Sequence, residues 1–155
     1  MQHQYQHMRI GITGYKFSKG TPINIATFVS PTGPDSDPNA EVSVYMDKLH
    51  NSTTTLNNYA HFVAFADYEN RTSDFHAFKL LELSTNSSIL AEKRAYMLIG
   101  TYQNPSAGFQ KLMEIGTIIG DKAYCMQYIA DAPKYSDYLP TVQKMIDSLV
   151  IKKST

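Results

Sequence analysis

Cysteine and tryptophan are almost missing from this 155-residue chain, which has one Cys and no Trp. A single cysteine, Cys125, cannot form an internal disulfide, so a disulfide-stapled scaffold is excluded. The chain also lacks a run of eighteen apolar residues, and we therefore expect no transmembrane segment. Excess charge of either sign is absent because 14 basic residues balance 14 acidic ones, and this balance argues against nucleic acid as a partner.

The length and the apolar content of the chain are those of a folded domain. Hydrophobic residues make up 43% of the sequence, which excludes a wholly disordered chain. The Gln- and His-rich residues 1–9 lack the order of a signal peptide, so either the protein is cytoplasmic or its leader lies outside this chain. We predict a flexible segment over residues 1–9 and a single domain over residues 10–155.

The spacing of apolar residues predicts mostly strands. A helix is expected from Leu56 to about residues 66–70, and a second over residues 139–149. Gly120 and Asp121 form a typical hairpin connection, and the polar residues 85–88 are predicted to turn. The predicted strands cover residues 23–30, 41–49, 75–84, 95–102, 109–119 and 122–130. This order predicts an α+β fold, an α/β/α sandwich whose central antiparallel sheet has helices on both faces.

Catalytic motifs are absent from the sequence. It contains no glycine-rich nucleotide-binding loop and no nucleophile elbow of the G-x-S-x-G type. Cys125 lies inside an apolar strand, which favours a core residue over a nucleophile. No histidine has a sequence neighbour that would orient it as a base. We therefore predict neither catalytic nor cofactor-binding residues.

An acidic segment between the first two strands is the one candidate metal site. Oxygen-bearing side chains at alternate positions, Asp35, Asp37 and Asn39, could converge on calcium. Ala40 and Met46 stand where a helix–loop–helix calcium site has Gly and Glu, and no helix flanks the segment. The pattern favours an Asp/Pro turn, with calcium as the alternative.

Three sequons, at Asn51, Asn70 and Asn86, are candidate glycosylation sites. Each lies between segments that have strand or helix periodicity, as an exposed acceptor would. Polar loop composition explains the same three motifs equally well.

The C-terminal third resembles a known family. A hairpin strand with K-A-Y-x-x-x-Y-x-A begins at Lys122, a loop with Y-x-x-Y-L-P begins at Tyr135, and the closing helix contains Q-K-M-I-D-S. These motifs look like those of the PsbP-like proteins, above all those of archaea. Residues 28–31 resemble the F-x-S-P step of that family. Residues 90–96 resemble its L-x-G-x-P-A-Y motif, with Glu92 and Arg94 in place of Gly and Pro.

The resemblance implies the PsbP/Mog1-like sandwich and a non-catalytic, extracytoplasmic binding or assembly module. The family's namesake is an extrinsic photosystem II subunit that helps to retain calcium and chloride, although a photosynthetic role is not expected here. The implied partner is a protein of unknown identity, and a leader outside this chain could attach the module to a membrane. Two alternatives stay open: a cytosolic Mog1-like adaptor for a small GTPase, and a hydrolase or metal-dependent enzyme whose site the sequence does not reveal.

Overall fold

Six strands form one antiparallel sheet in the computed structural model, which describes residue 19 and residues 22–30, 40–69 and 75–152. The strands are β1 (Ile23–Val29), β2 (Ala40–Lys48), β3 (His76–Leu90), β4 (Lys93–Asn104), β5 (Gly108–Ile119) and β6 (Lys122–Asp131). Their order across the sheet is β1-β2-β6-β5-β4-β3, so β1 and β3 are the edge strands.

Among the described residues, two α-helices accompany the sheet, α1 (Leu56–Phe62) and α2 (Tyr135–Ser148). The hydroxyl of Thr55 caps α1 by accepting a hydrogen bond from the backbone N–H of Asn58 at 3.1 Å. The chain then continues from α1 as a π-helical segment, Val63–Glu69, where the sequence predicted further α-helix.

The second helix begins four residues earlier than predicted. A 3₁₀ turn over Ala132–Lys134 leads directly into α2, so the helix starts at Tyr135. Pro140 therefore lies inside α2 and not in its first turn.

Alternation along the strands gives each face of the sheet its own core. Leu112 and its partner Ile129 belong to the core that contains α1 residues, and this side is called the α1 face. The next pair, Met113 and Tyr128, belongs to the core that contains α2 residues, and this side is called the α2 face. The α+β class and the antiparallel sheet are thus confirmed.

The turn predicted at residues 85–88 is wrong. β3 runs on to Leu90, and its pairing with β4 shifts register between Ser84 and Ser88, so the polar residues lie within an irregular strand. The chain reverses at Ala91 and Glu92, whose φ angles of 49° and 66° are left-handed. Neither residue type signals such a turn, whereas Gly120, with a φ of 64°, turns where the sequence predicts.

Parts of the sequence prediction fall on residues that the structure does not describe. The predicted flexible segment 1–9 is among them, and the single domain over 10–155 stays a prediction. Within the described residues, no helix combines the length and hydropathy that crossing a membrane requires.

Candidate functional site

An open groove of about 320 Å³ lies between α2 and the adjoining ends of β1 and β2. Its walls are mostly apolar and aromatic, with a few hydroxyls. The lining residues are Phe28, Val29, Ser30, Ala40, Glu41, Val42, Tyr128, Tyr138, Thr141, Val142 and Met145. Such walls suit an apolar group that is oriented by a small number of polar contacts.

Strand alternation and helical spacing build the groove. On β2, Val42 points to the α2 face and lies opposite Phe28 of β1 in the register. On α2, Tyr138, Thr141 and Met145 recur at intervals of three and four, so they share one side of the helix. Phe28 is 52% exposed at the rim, which leaves its ring available to an incoming molecule.

Tyr128 of the groove wall is stacked on a second tyrosine, Tyr135. The hydroxyl of Tyr128 donates to the backbone carbonyl of Tyr135 at 2.7 Å, and the ring centroids are 4.9 Å apart. The Nζ of Lys111 lies 4.5 Å from the centroid of the Tyr135 ring. Burial raises the pKa of Tyr128 far above its usual value and that of Tyr135 to about 12, so both phenols are neutral at physiological pH.

The α1 face carries a buried polar network. Both carboxyl oxygens of Glu114 accept hydrogen bonds, one from the hydroxyl of Tyr68 at 2.7 Å and the other from the hydroxyl of Tyr96. The amide of Gln127 donates to the Tyr68 hydroxyl at 2.6 Å. Since Glu114 and Tyr68 are fully buried, these bonds tie the π-helical segment to the middle of the sheet.

A second carboxyl–tyrosine bond links α1 to β2 on the same face. The hydroxyl of Tyr59 donates to Asp47 at 2.7 Å, and both residues are buried. The rings of Tyr59 and Tyr96 lie 6.0 Å apart. Gly116 makes room for this arrangement, because a Cβ there would lie 2.6 Å from the Tyr96 ring.

Glu41 is a buried carboxyl group that differs from Glu114 and Asp47 in its hydrogen bonding. It is 5% exposed, and neither of its carboxyl oxygens accepts a hydrogen bond within the part of the chain that the structure describes. Desolvation raises its pKa from 4.5 to about 7. Glu41 contributes to the groove wall, but its pairing with Ile129 places its side chain on the α1 face.

Of the sequence-predicted site residues that the structure describes, none lines the groove. Asp35, Asp37 and Asn39 lie outside the described residues, and so does Asn70. Among the residues that are described, no group of three or more His, Cys, Asp and Glu side chains could hold a metal. Cys125 is buried, in agreement with the core position expected for it.

The other two sequons lie at the surface. Asn51 and Asn86 are both exposed. The side-chain oxygen of Asn51 accepts hydrogen bonds from the backbone N–H of Thr53 at 2.9 Å and from its hydroxyl at 2.8 Å.

Sequence reasoning missed the polar network, although a signal for it was present. Glu114 interrupts the apolar strand sequence Leu112–Met113–Glu114–Ile115, and Gln127 does the same in β6. A charged or amide side chain in a strand that is buried on both faces needs a buried partner. The groove had no comparable signal, because its walls come from three separate elements.

Known proteins resemble this chain in fold only. No family model and no curated protein matches it. PA94 of Pseudomonas aeruginosa, a protein of unknown function, is 16% identical, with a TM-score of 0.57 and coverage of 83% of each chain. LpqN of Mycobacterium tuberculosis, which is involved in cell envelope biogenesis, is 13% identical, with a TM-score of 0.60 over 88% of this chain and 73% of LpqN.

Proposed function

We propose that this protein is a non-catalytic, extracytoplasmic binding or assembly module of the PsbP-like type. The observation that carries the proposal is the open groove beside α2, whose walls offer an apolar surface with hydroxyls at Ser30, Tyr138 and Thr141. A volume of about 320 Å³ suits one or two apolar side chains of a protein partner.

The finer fold assignment, PsbP/Mog1-like, is part of the proposal. Two helices on opposite faces of the antiparallel sheet support it. The backbone of Glu92 supports it as well, because φ is 66° at the position where the family motif has Gly. Arg94, in place of the motif's Pro, continues the β4 strand and pairs with Ile89.

Two of the three buried carboxyl groups in the described residues have structural partners, which favours binding over catalysis. Glu114 accepts two tyrosine hydroxyls and Asp47 accepts one, so these groups hold α1 and the π-helical segment to the sheet. A hydrolase or a metal-dependent enzyme and a Mog1-like GTPase adaptor stay predictions from the sequence.

An extracytoplasmic location rests on the family resemblance and on one fold relative. LpqN is involved in cell envelope biogenesis, and we extend that location to this protein as a proposal. Fractionation of cells that naturally contain the protein, followed by immunoblotting, tests it. Recovery in the envelope or the medium is expected, and recovery in the cytosol alone would contradict it.

A blocked groove provides the decisive binding test. Thr141 is exposed at the groove, and Thr141→Trp would place an indole ring across it, while the exposed Gln143→Trp on another side of α2 is the matched control. The probe is 1-anilinonaphthalene-8-sulfonate, followed by its own fluorescence. We expect Thr141→Trp to weaken probe binding about tenfold, a loss of ~1.4 kcal/mol, and Gln143→Trp to leave it unchanged.

The same variants report on the groove without the probe. Because the chain has no Trp, each substitution introduces the only indole. Indole emission from the Thr141→Trp variant should lie at shorter wavelength than emission from the Gln143→Trp variant, since only the former indole packs against apolar walls. Equal probe affinity in both variants and the unmodified chain, or no binding at all, would refute the groove as a binding site.

Calcium binding and glycosylation are also proposed, at the residues that the sequence indicates. Calcium at Asp35, Asp37 and Asn39 should raise the melting temperature at millimolar metal, because a ligand of the folded state stabilises it. An unchanged melting temperature would remove calcium. Mass spectrometry of the native protein would show whether Asn51, Asn70 or Asn86 carries a glycan.

A further inference from the structure

The edge strand β1 concentrates exposed apolar surface. Ile23, Ile25, Phe28 and Val29 are each between 41% and 55% exposed. They are four of the nine large hydrophobic side chains that are exposed among the described residues, and they lie within seven consecutive positions. The same strand has no hydrogen-bonded neighbour beyond β2 in the described sheet. As far as the described residues go, β1 therefore combines an open backbone edge with apolar side chains.

β3, at the opposite edge of the sheet, has features that oppose pairing with another chain, and β1 lacks them. β3 carries Lys79 and Glu82, and its pairing with β4 is interrupted by three register shifts. β1 carries no charged residue, and its pairing with β2 has a single shift, between Asn24 and Ala26. Charges and bulges on an edge strand prevent it from pairing with another chain. By this criterion β3 is closed to pairing and β1 is open.

We propose that β1 is a self-association edge at which two copies of this chain join their sheets through antiparallel β1–β1 pairing. The inference goes beyond the groove and does not depend on what the groove binds. The β1 strand of a second copy matches this edge, because that strand is uncharged and has apolar side chains on both sides. Formal net charge is zero, so little long-range repulsion opposes the encounter.

The contrast between the edges also limits the assembly to two copies. Pairing of β1 with β1 is isologous, since each copy uses the same surface, and it closes after one partner is added. Pairing of β1 with β3 of another copy would continue without end, but the charges and register shifts of β3 oppose it. The regular part of β1, Ala26–Val29, is the segment available for continuous pairing.

The dimer should be weak. A seven-residue strand with four half-exposed apolar side chains offers less than the ~800 Å² per partner of a standard interface. We expect association that depends on concentration, with a dissociation constant in the range of about 10 µM to about 1 mM. Sedimentation equilibrium of the full chain over that range measures it.

Charged variants on β1 test strand pairing, because a charge on an edge strand opposes pairing with another chain. Ile25 is 55% exposed and lies outside the apolar groove beside α2, so Ile25→Lys and Ile25→Glu leave that groove intact. Each variant alone should lose at least about tenfold in self-affinity, because a charge then lies next to the paired segment Ala26–Val29. Ile89→Lys, at a position that is 69% exposed on β3, is the matched control and should dimerise like the unmodified chain.

Three outcomes would overturn the proposal. The chain could remain a monomer at about 1 mM, the two Ile25 variants could dimerise normally, or Ile89→Lys could abolish association. A monomeric chain that binds a synthetic peptide of the sequence INIATFV would instead assign the edge to a strand from another protein. Phe28 and Val29 belong both to β1 and to the groove wall, but Thr141→Trp and Gln143→Trp change only α2, so failure of the groove test does not contradict strand pairing.

Discussion

The two faces of the sheet bury their side chains by different chemistry. Against α1 and the π-helical segment, carboxyl, amide and tyrosine groups meet in matched hydrogen bonds around Glu114 and Asp47. Against α2, the core is built from Val, Ile, Met and Ala, with the Tyr128–Tyr135 pair as its main polar element. One sheet thus carries one face whose buried groups form a polar network and another face whose core is mainly apolar.

This difference explains where an open groove can exist. A buried polar network is stable only when its members are all satisfied, so its geometry is fixed and its tolerance for gaps is low. An apolar core accepts changes in shape at moderate cost, and methionine in particular fills irregular space. The α2 face can therefore leave a groove beside Met145 at moderate cost in stability.

The largest expected effect comes from breaking the network on the α1 face. Glu114→Ala removes the acceptor of both the Tyr68 and the Tyr96 hydroxyls while all three groups are buried. We expect the free energy of unfolding to fall by ~3–5 kcal/mol, because two buried donors lose their partner. Urea denaturation followed by circular dichroism measures the loss.

The adjacent residue on the α2 face provides the control. Ile115→Val, at a site that is 4% exposed, removes one methylene from an apolar core and should cost about 1 kcal/mol. If Glu114→Ala lowered the free energy of unfolding as little as Ile115→Val, polar contacts would not be more important on the α1 face than on the α2 face.

The next largest expected effect is the change in the free energy of unfolding with pH that Glu41 causes. Its pKa is about 7 in the folded protein and 4.5 as a free group, so the folded state favours the protonated form. Stability is therefore fully present below pH 4.5, falls as pH rises from 4.5 to about 7, and is constant above. With allowance for solvent screening, we expect a loss of ~1–3 kcal/mol across this window.

Comparison with Glu41→Gln isolates this contribution from other titrating groups. The amide cannot ionise, so the variant should gain stability relative to the unmodified chain as the pH rises through this window, as followed by thermal or urea unfolding. A stability difference that is the same at both ends of the window would show that Glu41 has an ordinary pKa.

The smallest effect is expected at the polar pair of the α2 face. Tyr128→Phe deletes one hydrogen bond to the Tyr135 carbonyl and should cost ~1 kcal/mol. Tyr124→Phe, at a half-exposed position on the same strand, should cost less than about 0.5 kcal/mol. A loss at Tyr128 as large as that at Glu114 would mean that polar contacts stabilise both faces equally.

Much of the fold was predictable because strand periodicity is strong in this chain. The β5–β6 hairpin follows from two apolar runs around Gly120 and Asp121, and the helix at residue 56 follows from its cap, Thr55. The turn at Ala91 and Glu92 was not predictable from these types, since alanine and glutamate rarely adopt positive φ. The π-helical continuation was also missed, because it depends on the tertiary bonds of Tyr68.

The candidate site was far less predictable than the fold. Phe28, Val42 and Met145 are ordinary core-type residues in sequence, and only the packing of α2 beside β1 and β2 leaves a space between them. Asp35 and Asp37 were predicted as calcium ligands because a cluster of polar residues can be recognised in the sequence without knowledge of the fold. Cavities formed by several elements have no such local signature.

The Gly120 turn also bears on the order of events during folding. β5 and β6 pair from Gln110–Asp131 to Ile119–Lys122 across a two-residue connection, so their contacts close short loops at low entropic cost. The β3–β4 hairpin, by contrast, must first place Ala91 and Glu92 in an unfavourable conformation. We expect β5–β6 to be formed in the transition state, so that Gly120→Ala slows refolding whereas Glu92→Gly mainly slows unfolding.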